Sequence, residues 1–458
     1  MEEIREVSAA ERRLEERVFA PLERSGRGFY FLVTVLLVIV AWGLYGYFTQ
    51  IRDGLWVTGL RDRVFWGLYI ALFIFFVSAS AGVTVLSAAL KLFHAPWRAP
   101  ITRVAEMMTV ALLATAFIFI LLDIGRPDRV HHMLLFGRWE SPLMWDVFAL
   151  TTTLVGRLIY LNMAMIRDLA LCRDYFGSRA PWPRRLFYRT FAVGWSGNAR
   201  QERLLNIGLP MMTVFILPVA IMTPTVASWI FSMTLRAPWD NPMFAIYFAS
   251  GAVYSGVALV VIMLVIIRKV YGLEEFVTRR HFRNLGYILA FFAALMLFFS
   301  VSDFITMGYK MEGSATVYLY EQVAGGLAPI YWAYIWAGLV TPLLLIGLPF
   351  TRRIGGIVLA AVLAAGGVAI DWYYLVVAGL TVPQNPYETP SYAPTATEWG
   401  VSAGVIALFV LIIVVLLKLL PSVTVTDMEH PEESGLEPLG VPGSTAPGPA
   451  PALEGVPT

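Results

Sequence analysis

The chain has 458 residues, 58% of them hydrophobic and only 14% charged, with a mean hydropathy of +0.68. A soluble globule covers itself with about 25% charged residues, so this composition excludes one and predicts a polytopic membrane protein. A formal net charge of +2 gives no reason to expect nucleic acid as a partner.

Residues 1–28 hold Glu and Arg in near balance and lack the basic start and small-residue cleavage site of a signal peptide. They read as an amphipathic segment on the cytoplasmic side. Apolar runs of roughly the 20 residues needed to cross a bilayer then fall near 29–49, 64–90, 102–123, 143–166, 206–232, 242–268, 285–306, 327–349, 354–378 and 400–420. Long runs, rather than short alternating ones, exclude a β-barrel, and in lipid a helix satisfies its own backbone. The fold class is therefore all-α, an integral membrane protein of about ten transmembrane helices. Residues 421–458 are Pro-rich and acidic, which predicts a disordered tail.

Of the 34 Lys and Arg, 25 lie on the side shared by both termini, the long loop 167–203 and the other loops after even-numbered spans. Eight lie on the opposite side, and Arg157 is inside a span. The positive-inside rule puts both termini in the cytoplasm of a cell whose inner membrane holds the chain. The polar hairpin "LLDIGRPDRVHHMLLFGRWESPLMWD", 121–146, then faces outward.

The spans repeat. "FFVSASAGVTVLSA" at 75–88 matches "YFASGAVYSGVALV" at 247–260, the runs ending in Asp123 and Asp303 match, and "SPLMW" at 141–145 matches "APIYW" at 328–332. These matches predict two parallel four-helix repeats, over 29–166 and 204–349, followed by a C-terminal helix pair over 350–420. The small-residue stripes imply close helix approach. Asp146, after Trp145, has Ala333 as its counterpart after Trp332, so the acidic cluster belongs to the first half.

Cys172 is the only cysteine, which leaves no intrachain disulfide and no thiolate set for an iron–sulfur cluster. His94, His131, His132, His281 and His430 fall in loops, at helix ends or in the tail, away from the depth of a membrane haem. If electrons move through this protein, another subunit carries them.

The stretches "WGLYIALFIFFVSASAGVTVLSA", "WRAPITRVAE", "LDIGRPDR", "SPLMWD", "GWSGNARQ", "APWDNPMFAIYFASGAVYSG" and "YAPTATEWG" together resemble the polysulfide-reductase membrane-subunit family, NrfD-like, from about residue 20 to 420. Within it, the chain is most similar to the quinol-oxidising subunit of alternative complex III. It departs from that branch at Asp123, Pro224, Ile230 and the pair Trp239 and Asp240, and its "SWIF" is closer to membrane anchors of sulfur-compound reductases and hydrogenases. The resemblance implies a subunit without a redox cofactor of its own. It implies a quinone substrate, menaquinone or ubiquinone, near the outer face, a ferredoxin-like iron–sulfur partner, and further membrane subunits in a respiratory electron-transport complex.

In that light the hairpin reads as a quinone rim. Asp146, just inside the N-terminus of the fourth span, is a proton acceptor, stabilised by the helix dipole and opposed by burial. Asp123 and His132 complete the catalytic set, while Arg126, His131, Trp145, Trp239, Asp240 and Tyr247 bind the ring. The plainer readings are an Asp123–Arg126 pair closing the turn set by Gly125 and Pro127, solvent-exposed histidines, and aromatic residues of the interfacial belt. Deeper, Glu106 and Arg157, with Asp303 in the second half, mark a proton path supported by Ser78, Ser80, Thr84 and Thr152; a buried structural pair is the alternative. At the rise of a helix, Arg157 sits roughly 16 Å below Asp146. A secondary transporter or proton channel is the competing class; acids crowding one membrane edge, and parallel repeats, favour the electron-transfer subunit.

Overall fold

The computed structural model describes residues 26–177, 181–272, 274, 276–383, 385, 387 and 390–420. The expected amphipathic opening, up to residue 25, and the acidic tail lie outside the described residues. Thirteen α-helices lie among the described residues: α1 (Arg27–Asp53), α2 (Leu68–Leu92), α3 (Ala99–Asp123), α4 (Val130–Phe136), α5 (Pro142–Phe176), α6 (Trp182–Phe191), α7 (Ala199–Ser232), α8 (Phe244–Val270), α9 (Arg279–Lys310), α10 (Gly313–Val323), α11 (Ala328–Gly347), α12 (Ile354–Thr381) and α13 (Ala396–Leu419). Ten of them, all but α4, α6 and α10, are long and apolar enough to cross a membrane, as the hydropathy predicts.

Helix starts follow local chemistry. Proline occupies the first turn of α3, α5 and α11, where its missing N–H costs nothing. The Asn198 side chain accepts from Gln201 N at 2.9 Å to open α7, and Thr395 with Glu398 forms a capping box on α13.

Packing arranges the spans as two rings of four. In one, α2 touches α3, α3 touches α5, α5 touches α7, and α7 returns to α2; in the other, α8, α9, α11 and α12 close in the same way. The first span, α1, lies along α13. The rings take spans two to five and six to nine, whereas the matched stretches group the sequence as 29–166, 204–349 and 350–420. The reason is that α1 finds its partner at the far end of the chain, and α12 closes the second ring.

The rings meet through the two small-residue stripes. A Cβ on Gly82 of α2 would lie 1.8 Å from Ala252 O, and one on Gly256 of α8 would lie 2.4 Å from Val83 N, so backbone rests on backbone. This crossing makes α2 the most enclosed span, 89% buried over its apolar window against 11% for α1. Lys418 Nζ lies 5.0 Å from the Phe29 ring centre, and Tyr188 of α6 donates to Leu419 O at 2.9 Å. One end of the bundle therefore carries the described chain ends and the Arg-rich 167–203 region, and the other carries the hairpin.

Candidate functional site

At the hairpin end of the second ring, α8, α9, α10, α11 and α12 enclose a cavity of about 410 Å³. Its wall is aromatic and apolar, with Phe244, Phe298, Phe299, Met307 and Leu375, and its polar groups form three clusters. In the deepest cluster, Tyr247 of α8 donates to Asp371 Oδ2 of α12 at 2.6 Å and lies 3.0 Å from the Tyr334 hydroxyl of α11. Asp371 is only 3% exposed. Across the cavity, Tyr374 donates to Tyr318 at 2.8 Å, beside Gln322, whose Oε1 is buried without a hydrogen-bond partner. Tyr318 belongs to the short α10, and burial holds its phenol well above the usual range. At the mouth, Asn241 Nδ2 donates to Asp303 Oδ1 at 2.6 Å, and Asp240 is exposed.

Two backbone features set this geometry. The middle of α11, Tyr334–Val340, is π-helical, a departure often found at functional sites. Gly338 in that segment meets Gly367 of α12 so closely that a Cβ on Gly367 would fall 2.2 Å from Gly338 Cα. This contact brings Tyr334 and Asp371, one turn beyond Gly367, to the same wall. Trp239, expected to bind a ring, is instead buried beside the cavity: its indole donates to Leu375 O at 2.8 Å and packs on Phe231 and Trp66. Gly379 is required there, because a Cβ would meet the Trp239 ring at 2.1 Å.

The residues singled out in the sequence divide between the rings. Asp240, Tyr247 and Asp303 line the cavity; Asp123, Arg126, His131, His132, Trp145 and Asp146 stand at the hairpin end of the first ring and do not. Asp146 is 4% exposed, and one of its carboxylate oxygens, like one of Asp123, is buried without a hydrogen-bond partner. Arg126 pairs with Asp128 at 3.2 Å, not with Asp123, because the 3-10 turn after Pro127 puts Asp128 beside it. That pair raises the Arg126 pKa and lowers that of Asp128. His131 and His132 are exposed, their rings 4.4 Å apart, and the Trp145 indole donates to Trp139 O at 2.7 Å.

Towards the Arg-rich face the first ring holds a polar column. Thr153 and Thr223 hydroxyls lie 2.9 Å apart, below them Arg157 is buried with two nitrogens unpartnered, and Glu106 is paired with Lys91. Lys91 also donates to Tyr160 at 2.8 Å, and Tyr160 meets Thr213 at 3.0 Å. The column ends in a second cavity of about 400 Å³, where Arg103 pairs with Asp168. Thr152, expected in this column, faces outward; one residue is 100° of helix, and Thr153 takes the inner position.

Sequence reasoning passed over Asp371, Tyr334, Tyr318, Tyr374, Gln322 and Asn241. Asp371 had a readable signal, a single acid inside an apolar run, since such acids are costly in lipid without a role.

Ten apolar helices among the described residues, eight of them in two rings of four, and in one ring an aromatic cavity with a buried carboxylate, define a polytopic helical membrane protein with an internal polar site. The chain belongs to the polysulphide reductase NrfD family, whose model matches residues 56–384. It is 28% identical over 421 residues to a putative dimethyl sulfoxide reductase membrane subunit of Halobacterium salinarum, covering 86% of this chain and 91% of that protein. It is 23% identical to a selenate reductase subunit of Mesobacillus selenatarsenatis, over 86% and 93% of the two chains. It is also 24% identical to the Hdr-like menaquinol oxidoreductase integral membrane subunit of Archaeoglobus fulgidus, over 88% and 95%.

Proposed function

We propose that this chain is the quinone-interacting membrane subunit of a multi-subunit oxidoreductase, and that the quinone head occupies the cavity of the second ring. The observation that carries the reading is the Tyr247–Asp371 pair set in the wall of an enclosed aromatic slot. A volume of about 410 Å³ falls within the usual range for small-molecule sites. Family membership and the menaquinol oxidoreductase relative point the same way.

Oxidation of a quinol releases two electrons and two protons. One ring hydroxyl hydrogen-bonds to Tyr247, which passes a proton to Asp371 along its existing 2.6 Å bond. The other ring hydroxyl gives its proton to the Asp303 carboxylate at the mouth of the cavity. The electrons leave to a redox centre on a partner subunit; the chain's one cysteine gives it no thiolate set of its own for such a centre. An iron–sulfur partner at the hairpin face is part of the proposal, as are the inner-membrane location and cytoplasmic termini.

A second reading concerns the first ring. The unpartnered oxygens of Asp146 and Asp123 and the column from Thr153 to Glu106 favour a proton route there, with or without a quinol at its hairpin end. Photolabelling of the purified full chain with an azido-quinone distinguishes the two. Peptides of α8, α11 and α12 carrying the label support the cavity, whereas label confined to α3 and α5 overturns that placement.

A further inference from the structure

We infer that the pocket between the end of α5 and α6 is a headgroup site for an anionic phospholipid of the surrounding leaflet. The pocket has a volume of about 510 Å³ and is lined by Arg173, Arg185, Arg189, Phe176 and Tyr188, with Gly177 and Gly194 at its edge. A Cβ on either glycine would meet nothing within 4 Å, so the edge is open. Arg173 is already held by Asp174 at 2.7 Å and by Trp195 O at 3.1 Å. Among the described residues, the Arg185 and Arg189 side chains make no hydrogen bond or ion pair and no carboxylate lines the pocket. Two guanidiniums one helical turn apart present their forks to one space, a geometry suited to a phosphodiester.

The depth of α6 identifies the source of that phosphate. α6 runs back beside α5: the Tyr188 and Phe176 rings stack at 5.8 Å, and Asn162 donates to Phe191 O at 2.9 Å. Asn162 lies about 30 Å along α5 from its start at Pro142, one hydrocarbon thickness, so the Phe191 end of α6 meets the membrane boundary and Arg189 and then Arg185 stand outside it. The face of α6 that bears Arg185 and Arg189 also bears Trp182 and Leu186, which are 66% and 47% exposed. An exposed face that mixes arginine with Trp and Leu just outside that boundary suits the headgroup region, where charged heads and apolar stems both find partners. A soluble anion has no use for that apolar rim. An anionic glycerophospholipid does, its phosphate between Arg185 and Arg189 and its acyl chains running past the exposed Leu186 and Phe191 towards the hydrocarbon.

The test uses the full chain, purified in detergent and delipidated. Phosphatidylglycerol, phosphatidylcholine or inorganic phosphate is added at equal concentration, and thermal stability is followed. Phosphatidylglycerol is expected to raise Tm well above phosphatidylcholine, and inorganic phosphate to leave it unchanged. In an Arg185→Gln/Arg189→Gln variant the phosphatidylglycerol increment disappears while the phosphatidylcholine response stays, with association about tenfold to thirtyfold weaker, the weight of two arginines at a membrane surface. Equal responses to the two lipids, or a variant that keeps the increment, overturn the proposal. So does inorganic phosphate giving the full shift, which marks a soluble-anion site. If the variant does not fold, native mass spectrometry of the wild-type chain from mixed micelles decides: retained phosphatidylglycerol in excess supports the site, and no excess rejects it.

Discussion

The Tyr247 phenol on α8 donates a 2.6 Å hydrogen bond to the Asp371 carboxylate on α12, 124 residues further along the chain. The bond spans the cavity wall and joins two helices that are neighbours in the second ring. It couples the shape of the slot to the one acid buried deep within it.

Removing either partner therefore separates binding from turnover. Tyr247→Phe leaves Asp371 without its donor and should weaken binding of a short-chain quinone analogue about tenfold, the weight of a hydrogen bond to a charged group. Asp371→Asn keeps the shape but takes no proton, and turnover of the assembled complex should fall about 10²-fold. Wild-type turnover in assembled Asp371→Asn complexes would rule the acid out as a proton acceptor.

Asp146 offers the contrasting case. Asp146→Asn should leave the analogue's Kd within about twofold, since the residue does not line the cavity. Proton movement by the assembled complex in proteoliposomes, followed with a pH-sensitive dye, should slow about 10²-fold. A Kd raised by a factor of about ten would instead move the quinone head to the first ring.

The crossing of α2 and α8 predicts a sharp steric effect. Gly82→Leu drives a side chain into Ala252 O and should cost at least about 3 kcal/mol, read as a lower Tm and loss of monodisperse protein. Gly156→Ala on α5, where a Cβ meets nothing within 4 Å, is the control and should be neutral or stabilising by up to about 1 kcal/mol. Equal losses from both would show that the two rings do not meet at Gly82.

Tyr188 on α6 predicts alkaline sensitivity. Burial foremost, and then the neighbouring Cys172, push its phenol up to about 12, against the pull of Arg184. The unfolded chain releases that proton near pH 10, so the contribution is fully present below about pH 10 and is lost as pH rises towards the folded value. Between pH 9 and 11 the wild-type Tm should fall more steeply than that of Tyr188→Phe. Parallel curves would mean that Tyr188 ionises as freely folded as unfolded.

Much of the architecture is local and so was written in the chain. A run of about 20 apolar residues must be helical in lipid because its backbone has no other partners, and this gives ten spans whatever lies beside them. The stripes at 75–88 and 247–260 announced close packing, since only small residues let two backbones meet, and they turned out to pack on each other. Which helices touch was not legible in the sequence. α1 reaches α13 across nearly the whole chain, and that contact shifts the division between the rings. The site is tertiary in the same sense. Asp371 stands alone in its span, and its meaning comes from Tyr247 and Tyr334 on two other helices. Asp146 is as deeply buried, yet it does not line that cavity. A carboxylate's cost is set by residue type and depth, which sequence shows; its role depends on the space and donors in front of it, which only the packing of distant helices decides.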